Sequence, residues 1–266
     1  MSLHQHYADS VQLMSFRSSL EPQVAALLDE IASGGQYVGA SNASIMSILY
    51  TLIVTCRARK VLQLGTFVGF SSLILGDALR RVDGRLITVD PDVSVTSVAE
   101  GYIRRANLDP YIVIVEKSST DPKTLELLRA KAPFDIIYID SLHNYDHARQ
   151  ELSLYWPLLR PSGFLCLDDA SKAAVEFDTS GRGGVYKAVK EWLLSTADCE
   201  WVMTREPLWP HAFGVFLATK VPQGEHLLNL TNRPMGAQRH AEAPRRSLPY
   251  RALRKVARVV GLAPKR

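Results

Sequence analysis

Val61-Leu62-Gln63-Leu64-Gly65-Thr66-Phe67-Val68-Gly69-Phe70-Ser71-Ser72 is a short, mostly apolar run that meets two glycines and continues with helical periodicity over 70–81. That is the pattern of a buried strand turning into a helix. It recurs down the chain. Apolar runs at Lys60–Leu64, Arg85–Val89, Tyr111–Val115, Phe134–Ile139 and Gly163–Leu167 alternate with helical stretches at 70–81, 93–106, 122–131 and 144–159. The runs are continuous rather than alternating, as in strands covered on both faces. Strand–helix alternation at this spacing predicts an α/β fold with a doubly wound, mostly parallel sheet and helices on both faces. A helix over 185–195 follows. Trp201–Arg205 and Ala212–Thr219, on either side of a turn with Pro207 and Pro210, predict an antiparallel pair closing one edge, for seven strands in all.

The flanks differ from this core. Residues 22–33 have helical spacing and stop at Gly34-Gly35, and Ser41–Arg57 reads as a second helix with Ile45, Ile48, Leu49 and Leu52 on one face. Three parts follow: a helical N-terminal segment (1–36), a main domain (37–220) and a basic segment (221–266). In the last, Pro222, Pro234, Pro244 and Pro249 break the chain, and 221–247 reads as a linker. Within 248–262, Leu253, Val256 and Val260 share a helical face opposite Arg251, Arg254, Lys255 and Arg258, a pattern suited to weak contact with an anionic membrane surface.

Composition excludes several classes. With 47% hydrophobic and 22% charged residues, the chain is neither disordered nor collagen-like. Cys56, Cys166 and Cys199 form no C-x-x-C pair and read as small buried side chains in a reducing compartment. The longest apolar stretch, Ile45–Cys56, falls short of the ~20 residues a membrane span needs. MSLHQHYADS has no basic run leading into an apolar core, so a cytoplasmic location is expected. The net charge of +4 hides an acidic body beneath the basic tail. The body has no basic run interleaved with aromatics, so no nucleic-acid partner is expected.

In an open parallel sheet, ligands bind beyond the carboxyl ends of the strands. Gly65 and Gly69 let backbone approach a ligand that faces free N–H groups at a helix start. Their G-x-x-x-G spacing is not the G-x-G-x-x-G of nicotinamide dehydrogenases. Asp90, at the end of the second run, can accept both hydroxyls of a ribose; its plainer reading is a cap on the following turn. The fourth run ends in Asp140 and the fifth in Asp168-Asp169. Three converging carboxylates repel one another unless protons or a cation intervene, and an all-oxygen set favours Mg²⁺. His143, three residues past Asp140, is placed to take the proton of a hydroxyl bound there; an imidazole of pKa ~6.5 suits that task. His147 reads as a surface residue, and His211 as a secondary candidate. Glu176–Gly184, with Gly181, Gly183 and Gly184, reads as a flexible loop over an acceptor pocket or as a connector, with Arg182 as a contact for an anionic substrate.

Gly65 to Ser71 with Asp90 resembles the class I S-adenosylmethionine (SAM) methyltransferases. The wording V-L-x-L-G-T-F-x-G-F-S-S is most similar to their small-molecule O-methyltransferase branch, which includes catechol and caffeoyl-CoA O-methyltransferases. The resemblance covers roughly residues 37–219 and implies a Rossmann-like fold. By it, Gly65, Phe67, Gly69 and Ser71 surround the methionine part of SAM and Asp90 holds the ribose. Ser41 lies near the methionine carboxylate, Ser118 lies by the adenine, and Asp140 borders the cofactor. Gln63 departs from the family, which usually has Glu or Asp there to help hold the methionine amino group.

The same resemblance makes Asp140 a metal carboxylate and Asp168-Asp169 the second acidic position. D-x-x-H at 140–143, with Tyr155-Trp156-Pro157-Leu158-Leu159-Arg160-Pro161-Ser162-Gly163, is similar to bacterial members that act on sugars and antibiotic-type molecules. Catechol-type enzymes have Lys where His143 stands, so the resemblance points to an alcohol or sugar hydroxyl. Ser162 replaces the second glycine of the usual R-P-G-G. Relatives are often dimers or larger, which implies a homo-oligomer. The expectation is a SAM-dependent O-methyltransferase acting on a small molecule, assisted by Mg²⁺ on Asp140, Asp168 and Asp169, with His143 as general base. Two alternatives stay open: a cation-independent methyltransferase on the same fold, and a non-catalytic SAM- or nucleotide-binding protein, to which Gln63 leans.

Overall fold

The computed structural model describes residues 16–34, 41, 43–204 and 214–222. All of them fall in one compact unit, and the basic segment beyond Pro222 lies outside the described residues. The helices are α1 (Pro22–Ser33), α2 (Ala43–Cys56), α3 (Phe70–Arg81), α4 (Val93–Arg105), α5 (Pro122–Lys131), α6 (Tyr145–Tyr155) and α7 (Gly184–Leu193). The strands are β1 (Lys60–Leu64), β2 (Arg85–Val89), β3 (Ile112–Val115), β4 (Phe134–Ile139), β5 (Leu159–Leu167), β6 (Cys199–Met203) and β7 (Phe216–Lys220). Local chemistry sets several helix starts. Asp92 caps α4 by accepting from Ser94 N, and Asp121 caps α5 by accepting from Lys123 N and Thr124 N, with Pro122 in the first turn.

The sheet order is β3-β2-β1-β4-β5-β7-β6. The chain builds outward from β1 to β3, then crosses back to β4 and builds the other way. The reversal falls between β1 and β4, where Leu64 pairs with both Val89 and Ile139. Along β4, Ile136 and Tyr138 join the core made with α1, α2, α3 and α4, whereas Ile137 and Ile139 join the core made with α5, α6 and α7. Burying each such aliphatic side chain contributes about 1.5–3 kcal/mol. A one-residue slip would exchange the two faces, so register and core are specified together.

The predicted antiparallel pair does close one edge. The reversed strand, β7, lies one place inside it, antiparallel to both β5 and β6, so the outermost β6 points with the parallel strands. The stretch expected as one helix over 144–159 divides. Helix α6 ends at Tyr155, a 3-10 turn covers Trp156–Leu158, and β5 begins at Leu159. Pro157 lacks the N–H a continuing helix needs. Early β5 bulges, shifting register between Phe134 and Ile136, and Ser162 sits there at φ +57°, a left-handed conformation that favours glycine. Of the cysteines, Cys166 is buried and Cys199 half-buried; Cys56, at the end of α2, is exposed, against expectation. No helix among the described residues is long and apolar enough to cross a membrane.

Candidate active site

Beyond the carboxyl ends of the strands, at the sheet's reversal, lies a cavity of about 630 Å³. Backbone hydrogen bonds hold its floor together. Gly65 N donates to Val89 O (2.8 Å), Asp140 N to Leu64 O (2.9 Å) and Asp168 N to Ile139 O (3.1 Å). Gly65 has φ +96°, and a Cβ there would stand 1.9 Å from the Asp140 carbonyl oxygen, so this close passage of the β1 turn past β4 requires glycine.

Ser41, Gly65, Phe67, Ser71, Asp90, Ser118 and Asp140, all expected around a cofactor, line the cavity. Gly69, expected with them, is not among the lining residues. It has φ +88°, and a Cβ there would meet Ala99 Cβ at 2.9 Å, so its place is in packing the start of α3 against α4. Asp90 reconciles its two readings. Its Oδ2 accepts from Thr66 N (3.0 Å) and Phe67 N (2.9 Å) and its Oδ1 from Asp92 N (3.0 Å), which ties the glycine turn to the end of β2. A carboxylate has about four lone-pair sites, so the same group can still accept from a ligand.

Gln63 is fully buried and fully used. Its Nε2 donates to Gly65 O (2.8 Å) and Ser71 Oγ (2.6 Å), and its Oε1 accepts from Ser72 Oγ (2.9 Å). A carboxylate could not make those two donations. Because Ser71 Oγ accepts from the amide, its own O–H is left to donate, and Ser71 borders the cavity.

Asp140 and His143 also line the cavity, and with Asp169 each offers one ligand atom, all within 4.8 Å of one another. His143 Nε2 lies 2.8 Å from Asp169 Oδ2 and 3.6 Å from Asp140 Oδ1, yet it is buried without an aligned hydrogen-bond acceptor. Burial disfavours charge on this imidazole, but Asp140 and Asp169 outweigh burial and push it up to about 10. Burial also opposes ionisation of Asp140; His143, Ser41 and Tyr138 prevail and hold its carboxyl below the usual range.

Asp168, expected as a third metal ligand, stands apart from this group. Asp169 has φ +52°, which turns the chain just past β5 and separates the two adjacent carboxylates. Asp168 is buried behind the cluster with Oδ2 3.3 Å from Tyr138 Oη, and burial, then Asp140 and Asp169, push its carboxyl well up. Tyr138 was not singled out in the sequence. Its Oη also lies 2.8 Å from Ser41 Oγ and 2.9 Å from Asp140 Oδ2, and Ser41 Oγ donates to Asp140 Oδ2 (2.7 Å). The available signal was strand period: Tyr138 is two residues before Asp140 and shares its face.

Three further readings change. His147 is not a surface residue: it lines the cavity, with Nε2 3.1 Å from Glu151 Oε1. The loop over 178–184 is not slack. One Asp178 carboxylate accepts from the backbone N–H groups of Tyr145, Ser180, Arg182, Gly183 and Gly184. Arg182 is engaged by Asp146 (2.5 and 2.7 Å) and stacks 4.5 Å over the Tyr145 ring, so it is already occupied as an anion contact. His211 lies outside the described residues.

Residues 62–170 match the family model described as a methyltransferase domain. A catechol O-methyltransferase from Niastella koreensis is 31% identical over 118 residues, 44% of this chain and 52% of that protein. An O-methyltransferase from Aspergillus hancockii is 29% identical over 140 residues, 52% of this chain and 54% of its own. The chain spans about half the length of these curated relatives. The crystal structure of the O-methyltransferase TomG from Streptomyces achromogenes, in complex with SAM, superposes with a TM-score of 0.64 over 84% of this chain and all of that one, at 20% identity. Residues 62–170 are thus similar to a methyltransferase domain, and the chain shares the fold of this solved O-methyltransferase.

Proposed function

We propose that the protein is a SAM-dependent O-methyltransferase that moves a methyl group to a hydroxyl of a small molecule, sugar or natural-product-like, with Mg²⁺ assistance and His143 as general base. The observation that carries this reading is convergence: the Gly65 turn, Asp140 and His143 line the same cavity at the sheet's reversal, and Asp169 stands beside Asp140 and His143. The cavity fits SAM, with the Gly65 turn, the Ser71 hydroxyl and the Asp90 carboxylate along one wall and Ser118 on another. Asp140 and Asp169 would hold the cation, with Ser41 and Tyr138 bracing Asp140. Their hard carboxylate oxygens fit such an ion, and His143 Nε2, buried beside them without an aligned partner, is left to serve as the base. When bound, Mg²⁺ supplies charge neutralisation and lowers the pKa of the acceptor hydroxyl. With an ion there to offset the Asp140 and Asp169 charges that hold its proton, His143 would release that proton to solvent and stand as a neutral imidazole. Its Nε2 would take the proton of the acceptor hydroxyl, and that oxygen would receive the methyl group as the methyl–sulfur bond of SAM breaks and SAH leaves. Leu142 and Phe177 are exposed beside His143 and offer the acceptor apolar contact.

One observation favours a cation-independent variant. The His143 imidazolium already balances charge between Asp140 and Asp169. Calorimetry separates the readings. SAH should bind the native protein, and Mg²⁺ should then bind with a stoichiometry of about one per chain. Asp169→Ala should lose Mg²⁺ binding and turnover while keeping SAH. Turnover that persists in EDTA would overturn the Mg²⁺ reading, and absence of SAH binding would overturn the methyltransferase reading itself.

A further inference from the structure

Glu151, on α6, is a carboxylate with no exposed side-chain surface, and no Lys or Arg pairs with it among the described residues. Burying such a group is costly unless it is richly hydrogen-bonded. Its donors come from three separate elements. Ser119 Oγ, in the loop after β3, donates to Oε1 (2.6 Å). Ser141 Oγ, in the loop after β4, donates to Oε2 (2.7 Å). His147 Nε2, one turn earlier on α6, lies 3.1 Å from Oε1. Tyr155, one turn later, donates to Ser119 O (2.5 Å) and so holds the same loop by its backbone. Ser119, Ser141 and His147 all line the cavity. The cluster therefore fastens the two loops across the part of the cavity formed by Ser118, Ser119 and Thr120, and it fixes the ring of His147 in that wall.

We propose that Glu151 is a positioning residue for cofactor binding: it sets the separation of the β3 and β4 loops and the orientation of His147, without touching the reacting groups. The inference rests on the methyltransferase reading above. Its reach is set by chemistry. One anionic group accepting from both loops holds them to one spacing, because a charge-assisted hydrogen bond is short and steep. Losing it frees both loops and the His147 ring at once. The carboxylate cluster across the cavity keeps its own partners, Ser41 and Tyr138.

The test compares the native protein with Glu151→Leu, similar in volume but unable to accept, and Glu151→Gln, which keeps one acceptor and gains a donor for the second hydroxyl. Glu151→Leu should weaken SAH binding and raise the KM for SAM by about tenfold or more, with kcat within about threefold and Mg²⁺ affinity unchanged. Glu151→Gln should recover most of the SAH affinity. If Glu151→Leu does not fold, the double variant Ser119→Ala, Ser141→Ala removes the same two bonds and should give the same KM effect. A folded Leu or double variant with SAH affinity within about twofold of native overturns the inference and leaves the methyltransferase reading intact. Native protein that fails to bind SAH overturns both.

Discussion

Replacing Gly65 with alanine should damage the cavity at the sheet's reversal more than the fold. Two costs add at this position. An alanine at φ +96° carries a left-handed penalty of about 1–2 kcal/mol. Its Cβ would also stand 1.9 Å from Asp140 O, where ordinary contact begins at 3.4 Å, so the Asp140 backbone must retreat by about 1.5 Å. Overpacking of this kind costs about 1–3 kcal/mol more. At roughly 2–4 °C per kcal/mol for a chain of this size, Tm should fall by about 4–20 °C. The retreat carries the Asp140 carboxylate with it, and a misplacement of ~1 Å near the chemistry can cost about 10²-fold in rate. Gly181→Ala is the control: φ is +67° but open space surrounds the added Cβ, so only the conformational penalty applies. Thermal melting, SAH calorimetry and methyl transfer from SAM should be read on both variants. A Gly65→Ala protein that binds SAH like the native chain, and melts no lower than Gly181→Ala, would refute the argument that glycine is needed for this approach.

The His143 charge has a signed effect on stability. Its folded pKa is raised from 6.5 to about 10, so its contribution is complete below about pH 6.5 and drains away as pH rises through about 10. In EDTA, the native protein should lose more Tm across that window than His143→Gln; parallel curves would show that the imidazole carries no extra proton. Asp178 acts in the opposite sense. Burial opposes its ionisation, but Ser180 and the surrounding backbone N–H groups lower its pKa, so its stabilisation is present above the ordinary carboxylate range and is lost as pH falls. Asp178→Ala strands those N–H groups and should cost about 2–4 kcal/mol, with faster proteolysis across 179–184; an unchanged cleavage rate would mean the loop is held by something else.

The strand and helix pattern was legible because both periodicities are local. Helices α1, α3 and α5 occupy the stretches their apolar spacing marks, and β1, β2 and β4 end one residue before Gly65, Asp90 and Asp140. Glycines, strand-end aspartates and a D-x-x-H turn also announce a site at one sheet edge, because a parallel sheet gathers all its carboxyl ends there. Direction and depth were not legible. Whether Asp168 or His143 completes the acidic group depends on one left-handed residue, Asp169. Whether Gly69 meets a ligand or Ala99 depends on where α4 packs. Whether the 178–184 loop is slack depends on a single carboxylate collecting the N–H groups of residues up to 39 positions apart in sequence, and Tyr138 and Glu151 work through partners as far as 97 and 32 residues away. Periodicity reports which face of an element is buried; it carries no information on which polar atoms of distant segments meet once it is, and that pairing is decided only when the sheet and its two layers of helices close.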